Sequence, residues 1–169
     1  MHIELKKWSL EDKHILAKIC DEADRSYLSD RLPSPYTEAD AVSWLEIVSE
    51  HEGKDGVFRA IVADGEIVGN ISVEQKADVY RKDAEIGYML LDAYRSKGIM
   101  TEAVRIICEE AFSTLDIIRI TGLVYAPNIA SQKVLEKNGF LKEGVQRSAV
   151  FKNNRVYDLW LYGKVCSPV

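Results

Sequence analysis

The chain has 169 residues, of which 47% are hydrophobic, and its formal net charge is −5. This length supports one well-buried core and is too short to expect two, so we predict a single domain over residues 1–169. The acidic balance and the lack of a Lys/Arg block argue against a nucleic-acid partner. No apolar run reaches membrane-spanning length and no apolar signal core follows Met1, so we expect no membrane partner and a cytoplasmic location.

Residue types that often hold metals or form disulfides lack the spacing for either role. The three cysteines contain no C-x-x-C pair, which argues against a disulfide framework or a zinc site and favours a reducing compartment. The three histidines, His2, His14 and His51, have no ligand spacing. The sequence also lacks a P-loop, a dinucleotide-binding motif and a nucleophile elbow. We therefore expect no metal site.

The N-terminal part of the chain predicts one strand and two helices. Residues 3–8 alternate between apolar and polar side chains, which is the period of a half-buried strand. Ser9 and Thr37 each stand where a helix cap is expected, ahead of apolar residues at helical spacing. The segment 24–36 between these helices carries two prolines, so we predict a loop there with three exposed residues: Tyr27, Leu28 and Tyr36.

From residue 57 the pattern changes to strands. Residues 58–63 and 66–73 are rich in β-branched residues and joined by Asp64-Gly65, which predicts an antiparallel hairpin. The elements that follow are a strand over 84–91, a helix with the apolar stripe 104–115, a strand over 117–125, a helix capped by Asn128, and a hairpin of strands 145–151 and 155–164. A helical crossover makes the strands at 84–91 and 117–125 parallel neighbours. We thus predict an α+β fold, a mixed and mostly antiparallel sheet of about seven strands with about four helices.

A basic turn from Arg95 to Thr101 runs directly from the strand at 84–91 into the long helix. The first N–H groups of a helix have no intrahelical acceptor, and Gly98 lets a ligand approach the backbone. With Arg95 and Lys97 beside them, these groups suit an anion such as a pyrophosphate. The alternative is a basic turn that only connects a strand to a surface helix.

The order of elements resembles the GNAT superfamily of N-acetyltransferases over nearly the whole chain. The residues that carry the resemblance are R-S-K-G-I-M-T from Arg95, and N-x-x-S followed by N-G-F in the fourth helix. E-I-G-Y-M-L from Glu85 and E-G-V-Q-R from Glu143 resemble the Rim-type branch, which acetylates N-terminal amines of ribosomal proteins. The superfamily pattern has Gly or Ala two residues after the Gly at position 98, and Met100 departs from it.

The resemblance implies acetyl-CoA as cosubstrate, with its pyrophosphate at residues 96–101. Its pantetheine arm is expected between two splayed strands, which end at Leu90 and Tyr125, where it would hydrogen-bond to the backbone near Met89. The implied cofactor-binding residues are Met89, Leu90, Leu91, Arg95, Ser96, Lys97, Gly98, Ile99, Met100, Thr101, Asn128 and Ser131.

Acetyl transfer to an amine requires a neutral nucleophile and stabilisation of the developing oxyanion. At neutral pH, deprotonation costs roughly 4.6 kcal/mol for a lysine-like amine and ~1.4 kcal/mol for an α-amine with a pKa near 8. Glu85, which the resemblance places beside the thioester, is the first candidate for the base, directly or through water. Its alternative role is a cross-strand partner for Lys or Arg. We expect the backbone N–H of Met89 to meet the oxyanion.

The source of a proton for the departing thiolate is less obvious from the sequence. Many superfamily members carry a Tyr seven residues after the Asn of the fourth helix, and this chain has Leu135 there. Ser131 is the nearby hydroxyl that could hydrogen-bond the sulfur or a water, and helix capping is its alternative role. A thiolate with a pKa near 8.5 can also leave unaided.

Asp158 lies on an otherwise apolar strand face, where a carboxylate is either paired or functional. It could bind the acceptor's ammonium group or share the base role, and a salt bridge with Arg147 is the alternative. Tyr27, Tyr36 and Tyr88 could wall an acceptor pocket or belong to the core.

These residues predict an acetyl-CoA-dependent N-acetyltransferase in which a primary amine attacks directly. The acceptor is either a protein N-terminal α-amine or a small amine. The competing hypothesis is a catalytically idle acyl-CoA-binding or sensing domain of the same fold. Homodimers are common among the relatives, so the resemblance also raises a homodimer as an expectation.

Overall fold

The computed structural model describes residues 1–166. The strands are β1 (Ile3–Lys7), β2 (Gly56–Ala63), β3 (Glu66–Gln75), β4 (Asp83–Leu90), β5 (Arg119–Tyr125), β6 (Leu141–Lys152) and β7 (Arg155–Val165). The α-helices are α1 (Lys13–Glu22), α2 (Glu38–His51), α3 (Ile99–Thr114) and α4 (Ile129–Lys137). The strands form one sheet in the order β1-β2-β3-β4-β5-β7-β6. Only β4 and β5 pair in parallel within the described residues, so the predicted α+β fold with one parallel pair is confirmed.

Short-range signals in the sequence explain where several elements begin. Thr37 and Asp40 form a capping box at the start of α2, in which the Thr37 N–H donates to Asp40 Oδ2 at 2.8 Å and the Asp40 N–H donates to Thr37 Oγ1 at 3.2 Å. Asn128 caps α4 by accepting the N–H of Ser131 at 3.3 Å. Both predicted hairpin turns use residues at positive φ: Asp64, Gly65, Asn153 and Asn154.

Two apolar clusters cover the two faces of the sheet. On one face α3 packs through Val104, Ile107 and Ala111, which are fully buried. On the other face α1 and α2 pack through residues such as Leu16 and Leu45. β2 is buried at every position because it is covered from both sides, which explains its nearly continuous apolar sequence. No helix within residues 1–166 is long and apolar enough to cross a lipid bilayer.

β6 is longer than the sequence pattern predicts. The strand begins at Leu141, whereas the alternation predicts a start at residue 145. Its pairing with β7 contains two irregularities, one between Lys142 and Gly144 and one between Gln146 and Val150. A bulge inserts an extra residue and breaks the period of two, so the alternation reveals only part of the strand.

Tyr36 is buried, and the prediction that it lies exposed in a loop was wrong. Its ring joins the cluster beneath α1 and α2, and only 8% of the residue is exposed. Its backbone N–H donates to Asp21 Oδ1 on α1 at 2.9 Å. Tyr27 and Leu28, from the same loop, are half-buried.

The close packing of β3 against β4 depends on a glycine. A Cβ atom at Gly69 would lie 2.6 Å from the backbone oxygen of Met89, a contact that only a backbone shift can relieve. Gly69→Ala should therefore lower the free energy of unfolding by about 1–3 kcal/mol in urea titrations. Gly87→Ala on β4 is the matched control, since nothing lies within 4 Å of its Cβ position, and it should change stability by no more than about 0.5 kcal/mol. Equal losses for the two variants would contradict this account.

Candidate active site

The site begins with a gap between the two parallel strands. The β4–β5 ladder covers only residues 83–85 and 119–121, although β4 continues to Leu90 and β5 to Tyr125. Each strand stays ordered beyond the ladder because its other edge remains paired, β4 with β3 and β5 with β7. α4 closes one side of the gap by packing on β5, where a Cβ at Gly122 would lie 2.7 Å from Leu135 Cδ1.

The phase of the β3–β4 ladder decides which backbone groups face this gap. The Leu91 N–H donates to the Val68 carbonyl at 2.9 Å, and the Lys76 N–H donates to the Asp83 carbonyl at 2.9 Å. The odd-numbered residues of β4 therefore point their polar groups at β3, and the even-numbered ones point towards β5.

The N–H of Met89 consequently faces β3, which contradicts its predicted role as the oxyanion donor. The N–H groups that face the open gap beyond the ladder belong to Tyr88 and Leu90. A change of phase by one residue reverses the direction of every backbone group along a strand, and the sequence pattern does not fix that phase.

The turn that precedes α3 presents a run of unused backbone donors. Ser96 and Gly98 have positive φ values of 61° and 78°, and α3 begins at Ile99. Within the described residues, no protein acceptor receives a hydrogen bond from the N–H groups of residues 96–101. Nothing lies within 4 Å of a Cβ built on Gly98, so a ligand can reach the backbone there. This arrangement suits a phosphate group.

The side chains around this turn hold it in place. The Arg95 guanidinium lies 3.3 Å from Asp92 Oδ1 and 3.7 Å from Asp24 Oδ2, so its charge is partly balanced. The Lys97 ammonium lies 5.6 Å from the centre of the Tyr94 ring. The helices on either side of the gap are joined as well, because Asn138 Nδ2 on the C-terminal side of α4 donates to the Thr101 carbonyl at 3.1 Å.

The start of α4 places two predicted residues, Asn128 and Ser131, beside the gap. The Asn128 side-chain oxygen caps the helix, and its NH₂ group has no protein acceptor within residues 1–166, so it can donate to a ligand. The Ser131 hydroxyl lies 2.5 Å from the hydroxyl of Tyr88 on β4. Leu135 is only 1% exposed, so the position at which the resemblance leads us to look for a Tyr belongs to the core in this chain.

Glu85 lies on the opposite face of the sheet from Ser131 and is exposed. Its cross-strand neighbours are Glu74 on β3 and Thr121 on β5. Neither is a Lys or an Arg, so Glu85 does not have the cross-strand basic partner that its alternative role requires. Within residues 1–166, no ion pair is formed by Glu85. The side chain is free to meet an acceptor.

Glu74, which lies directly beside Glu85, is a candidate site residue that the sequence reasoning missed. Although part of its side chain is exposed, burial by the surrounding protein and the neighbouring charge of Glu85 raise its pKa, while Arg31 and His51 act in the opposite direction. The only sequence signal was its register: Glu74 and Glu85 become direct neighbours once strands β3 and β4 are aligned.

Asp158 points to the other face from Glu85. Trp160 lies opposite the buried Val124, whereas Leu159 lies opposite Tyr125. Because side chains alternate between the two faces along a strand, the side chain of Asp158 lies on the same face of the sheet as that of Trp160. Its carboxylate accepts the backbone N–H of Ser148 at 2.8 Å, in the irregular part of β6. No salt bridge with Arg147 occurs in the described part of the chain, and a role for Asp158 in acceptor binding stays a prediction.

Three tyrosines close the far end of the face that carries Glu85. Tyr27 from the loop after α1 lies edge-on to Tyr125 at 6.2 Å, and Tyr125 stacks on Tyr157 at 6.4 Å between ring centres. Lys152 joins the same loop to the β6–β7 hairpin by an ion pair with Asp30 at 2.6 Å. Of the three tyrosines predicted for an acceptor wall, only Tyr27 lies in this group.

A split parallel pair beside a helix start with unused N–H donors is the arrangement that the resemblance to the GNAT superfamily implies. The family model for the acetyltransferase (GNAT) domain matches residues 2–141, so the chain belongs to the GNAT family and the sequence resemblance is confirmed. In the described part of the chain, no three His, Cys, Asp or Glu side chains are grouped to hold a metal.

Individual relatives place the chain more closely. It is 41% identical over 105 residues to the probable N-acetyltransferase YjcK of Bacillus subtilis (strain 168), a match that covers 62% of this chain and 55% of that protein. It is 29% identical over 105 residues to the ribosomal-protein-serine acetyltransferase of Escherichia coli (strain K12), covering 62% and 58%. The chain thus spans little more than half the length of these curated relatives.

The same fold occurs in a solved ribosomal-protein acetyltransferase. The structure of RimL in complex with coenzyme A superposes with a TM-score of 0.85, over 97% of this chain and 94% of that one. At 20% sequence identity, this likeness concerns the fold alone.

Proposed function

We propose that the protein is an acetyl-CoA-dependent N-acetyltransferase that acts on a primary amine. The observation that carries the proposal is the row of six unused N–H donors from Ser96 to Thr101, placed at the open end of the β4–β5 gap. A diphosphate fits the row, and an extended arm fits the gap. Acetyl-CoA, when bound, supplies an activated thioester.

The residues that would hold the cosubstrate lie along one path. Arg95, Lys97 and the Thr101 hydroxyl add to the backbone donors around the phosphates. Further along, the N–H of Leu90 faces the gap and can bind an amide of the arm. The NH₂ group of Asn128, which has no protein acceptor within residues 1–166, can bind another. Met89 and Leu91 would contact the arm without directing their own N–H groups at it.

The chemical step places different groups on the two sides of the sheet. Glu85 would take a proton from the acceptor's ammonium group, directly or through a water. Glu74, its cross-strand neighbour, would add negative charge that attracts the cationic acceptor. The N–H of Tyr88 would stabilise the oxyanion, in place of the Met89 N–H expected from the sequence. Ser131 would meet the sulfur from the other side.

The acceptor we propose is the α-amine of a protein N-terminus, and a small amine is the alternative. An α-amine needs less help with deprotonation than a lysine side chain does. One relative is named as a ribosomal-protein-serine acetyltransferase, which is consistent with a protein N-terminus. The buried thiols Cys20 and Cys108 suit the reducing conditions of the cytoplasm, where we place the protein.

A panel of acceptors tests this proposal. Peptides with a free N-terminal Ser or Ala should release CoA in a thiol-release assay, whereas the same peptides with a blocked N-terminus should give only background hydrolysis. Polyamines and amino acids form the second arm of the panel. Tight CoA binding with no product from any acceptor would overturn the enzyme proposal in favour of an acyl-CoA-binding domain, which the Leu135 position would then explain.

A further inference from the structure

A pair of hydroxyl groups bridges the gap on the side away from Glu85. Tyr88 lies on the part of β4 that has lost its β5 partner, and Ser131 lies on the first turn of α4. Their oxygens are 2.5 Å apart, so one hydrogen bond joins the two walls of the gap.

Two hydroxyl groups in one hydrogen bond use only one of their two protons. Within residues 1–166, neither oxygen has a second hydrogen-bond partner in the protein. The second proton is therefore available to an acceptor that enters the gap.

We infer that Tyr88 is a positioning residue that donates to Ser131 Oγ and so directs the Ser131 proton at the sulfur of CoA. The inference rests on the proposed function. A phenol is a stronger acid than an aliphatic hydroxyl group, so within the pair Tyr88 is the donor and Ser131 is the acceptor. Burial raises the pKa of Tyr88 to about 12, so the phenol keeps its proton near neutral pH. Ser131 is then the group that touches the cosubstrate.

The role of Ser131 is to stabilise a charge that appears during the reaction. The nitrogen of the acceptor forms a bond to the acetyl carbon, the bond from carbon to sulfur breaks, and the electron pair remains on sulfur. Glu85 takes one proton from the ammonium group, and solvent takes the second as the amide forms. Ser131 keeps its own proton and donates a hydrogen bond to the thiolate, which later gains a proton from water.

This pair replaces the missing side chain at position 135. Leu135 is packed against Gly122 and cannot carry a hydroxyl to the gap. Ser131 alone is free to rotate about χ1, whereas a Ser131 that accepts from Tyr88 has one of its lone pairs occupied and its proton directed elsewhere. The Tyr88 ring thus gives a short side chain a fixed direction.

The test measures the titration of the CoA thiol bound to the protein, followed by thiolate ultraviolet absorbance, and needs no acceptor. Ser131→Ala should raise the pH midpoint of the bound thiol by about one unit, because a hydrogen bond to a charged group is lost. Tyr88→Phe should raise the pH midpoint by roughly half as much. The double variant should have the same midpoint as Ser131→Ala alone, because Tyr88 acts on the thiol only through Ser131.

Tyr162→Phe is the matched control. Its hydroxyl also bonds α4, donating to Glu136 at 2.8 Å, but it extends from β7, on the side of β5 away from the gap. It should leave the midpoint unchanged. An unchanged midpoint in Tyr88→Phe, an equal shift in Tyr162→Phe, or additive shifts in the double variant would each overturn the inference. CoA that fails to bind the unmodified protein would instead overturn the proposed function.

Discussion

Gly98→Asp should weaken acetyl-CoA binding by about 100-fold or more while the protein stays folded. The N–H groups from Ser96 to Thr101 have no acceptor within the described residues, and the Cβ position of Gly98 points into open space beside them. A carboxylate there would occupy the space of the phosphates and repel them. At a separation of about 4 Å, such repulsion is worth several kcal/mol near a protein surface, and two orders of magnitude in affinity correspond to ~2.7 kcal/mol.

Gly53→Asp provides the control for backbone strain. Gly53 has a φ of 76°, close to the 78° of Gly98, and its Cβ position is equally open, but it lies in the turn after α2. Both variants should lose about 1 kcal/mol of stability, because an L-residue is placed in the left-handed region. Isothermal titration with acetyl-CoA should find near-normal affinity for Gly53→Asp only. Similar affinities for the two variants would show that the phosphates bind elsewhere.

The sequence predicted the features that depend on short-range rules. The cap at Asn128, the turn at Asp64-Gly65 and the helix start after Gly98 each involve residues close in the chain, and each lies where the pattern indicates. The parallel β4–β5 pair also followed, because a helical crossover between two strands leaves few other topologies.

The features that the sequence missed all depend on register or on contacts between distant residues. The neighbouring carboxylates Glu74 and Glu85 meet only after β3 and β4 are aligned, and the same alignment turns the Met89 N–H away from the gap. The bond between Tyr88 and Ser131 joins residues 43 positions apart on a strand and a helix. Periodicity assigns residues to a face of a strand but does not fix the phase of its hydrogen bonds.

Glu85→Gln is expected to lower kcat/KM at pH 7 by roughly tenfold, because only about a tenth of an α-amine with a pKa near 8 is neutral at that pH, and to leave the affinity for acetyl-CoA within about twofold. The amide has nearly the shape of the carboxylate but cannot accept the proton of the acceptor's ammonium group. Glu85 lies on the face opposite Ser131, away from the proposed cosubstrate contacts, so binding should be maintained.

The pH dependence gives the sharper result. Without a base, the variant reacts only with acceptor molecules that are already neutral in solution. Their fraction rises tenfold per pH unit up to the pKa of the α-amine, near 8, so the kcat/KM of the variant should rise by the same factor. The unmodified enzyme should depend less steeply on pH over the same range. The deficit is therefore larger at pH 6 than at pH 8.5, and a deficit that is constant with pH would remove Glu85 as the base.

Glu74→Gln separates the two carboxylates. The negative charge of Glu85 raises the pKa of Glu74, so Glu85→Gln should lower that pKa and leave Glu74 ionised at lower pH. If Glu85 is the base, Glu74→Gln mainly removes negative charge from the acceptor site and should raise KM for cationic acceptors with little change in kcat.

A steep pH–rate profile in Glu74→Gln, in place of Glu85→Gln, would instead show that Glu74 is the base and that Glu85 contributes only negative charge. Because the two residues are direct cross-strand neighbours, the double variant should lose less than the product of the single effects.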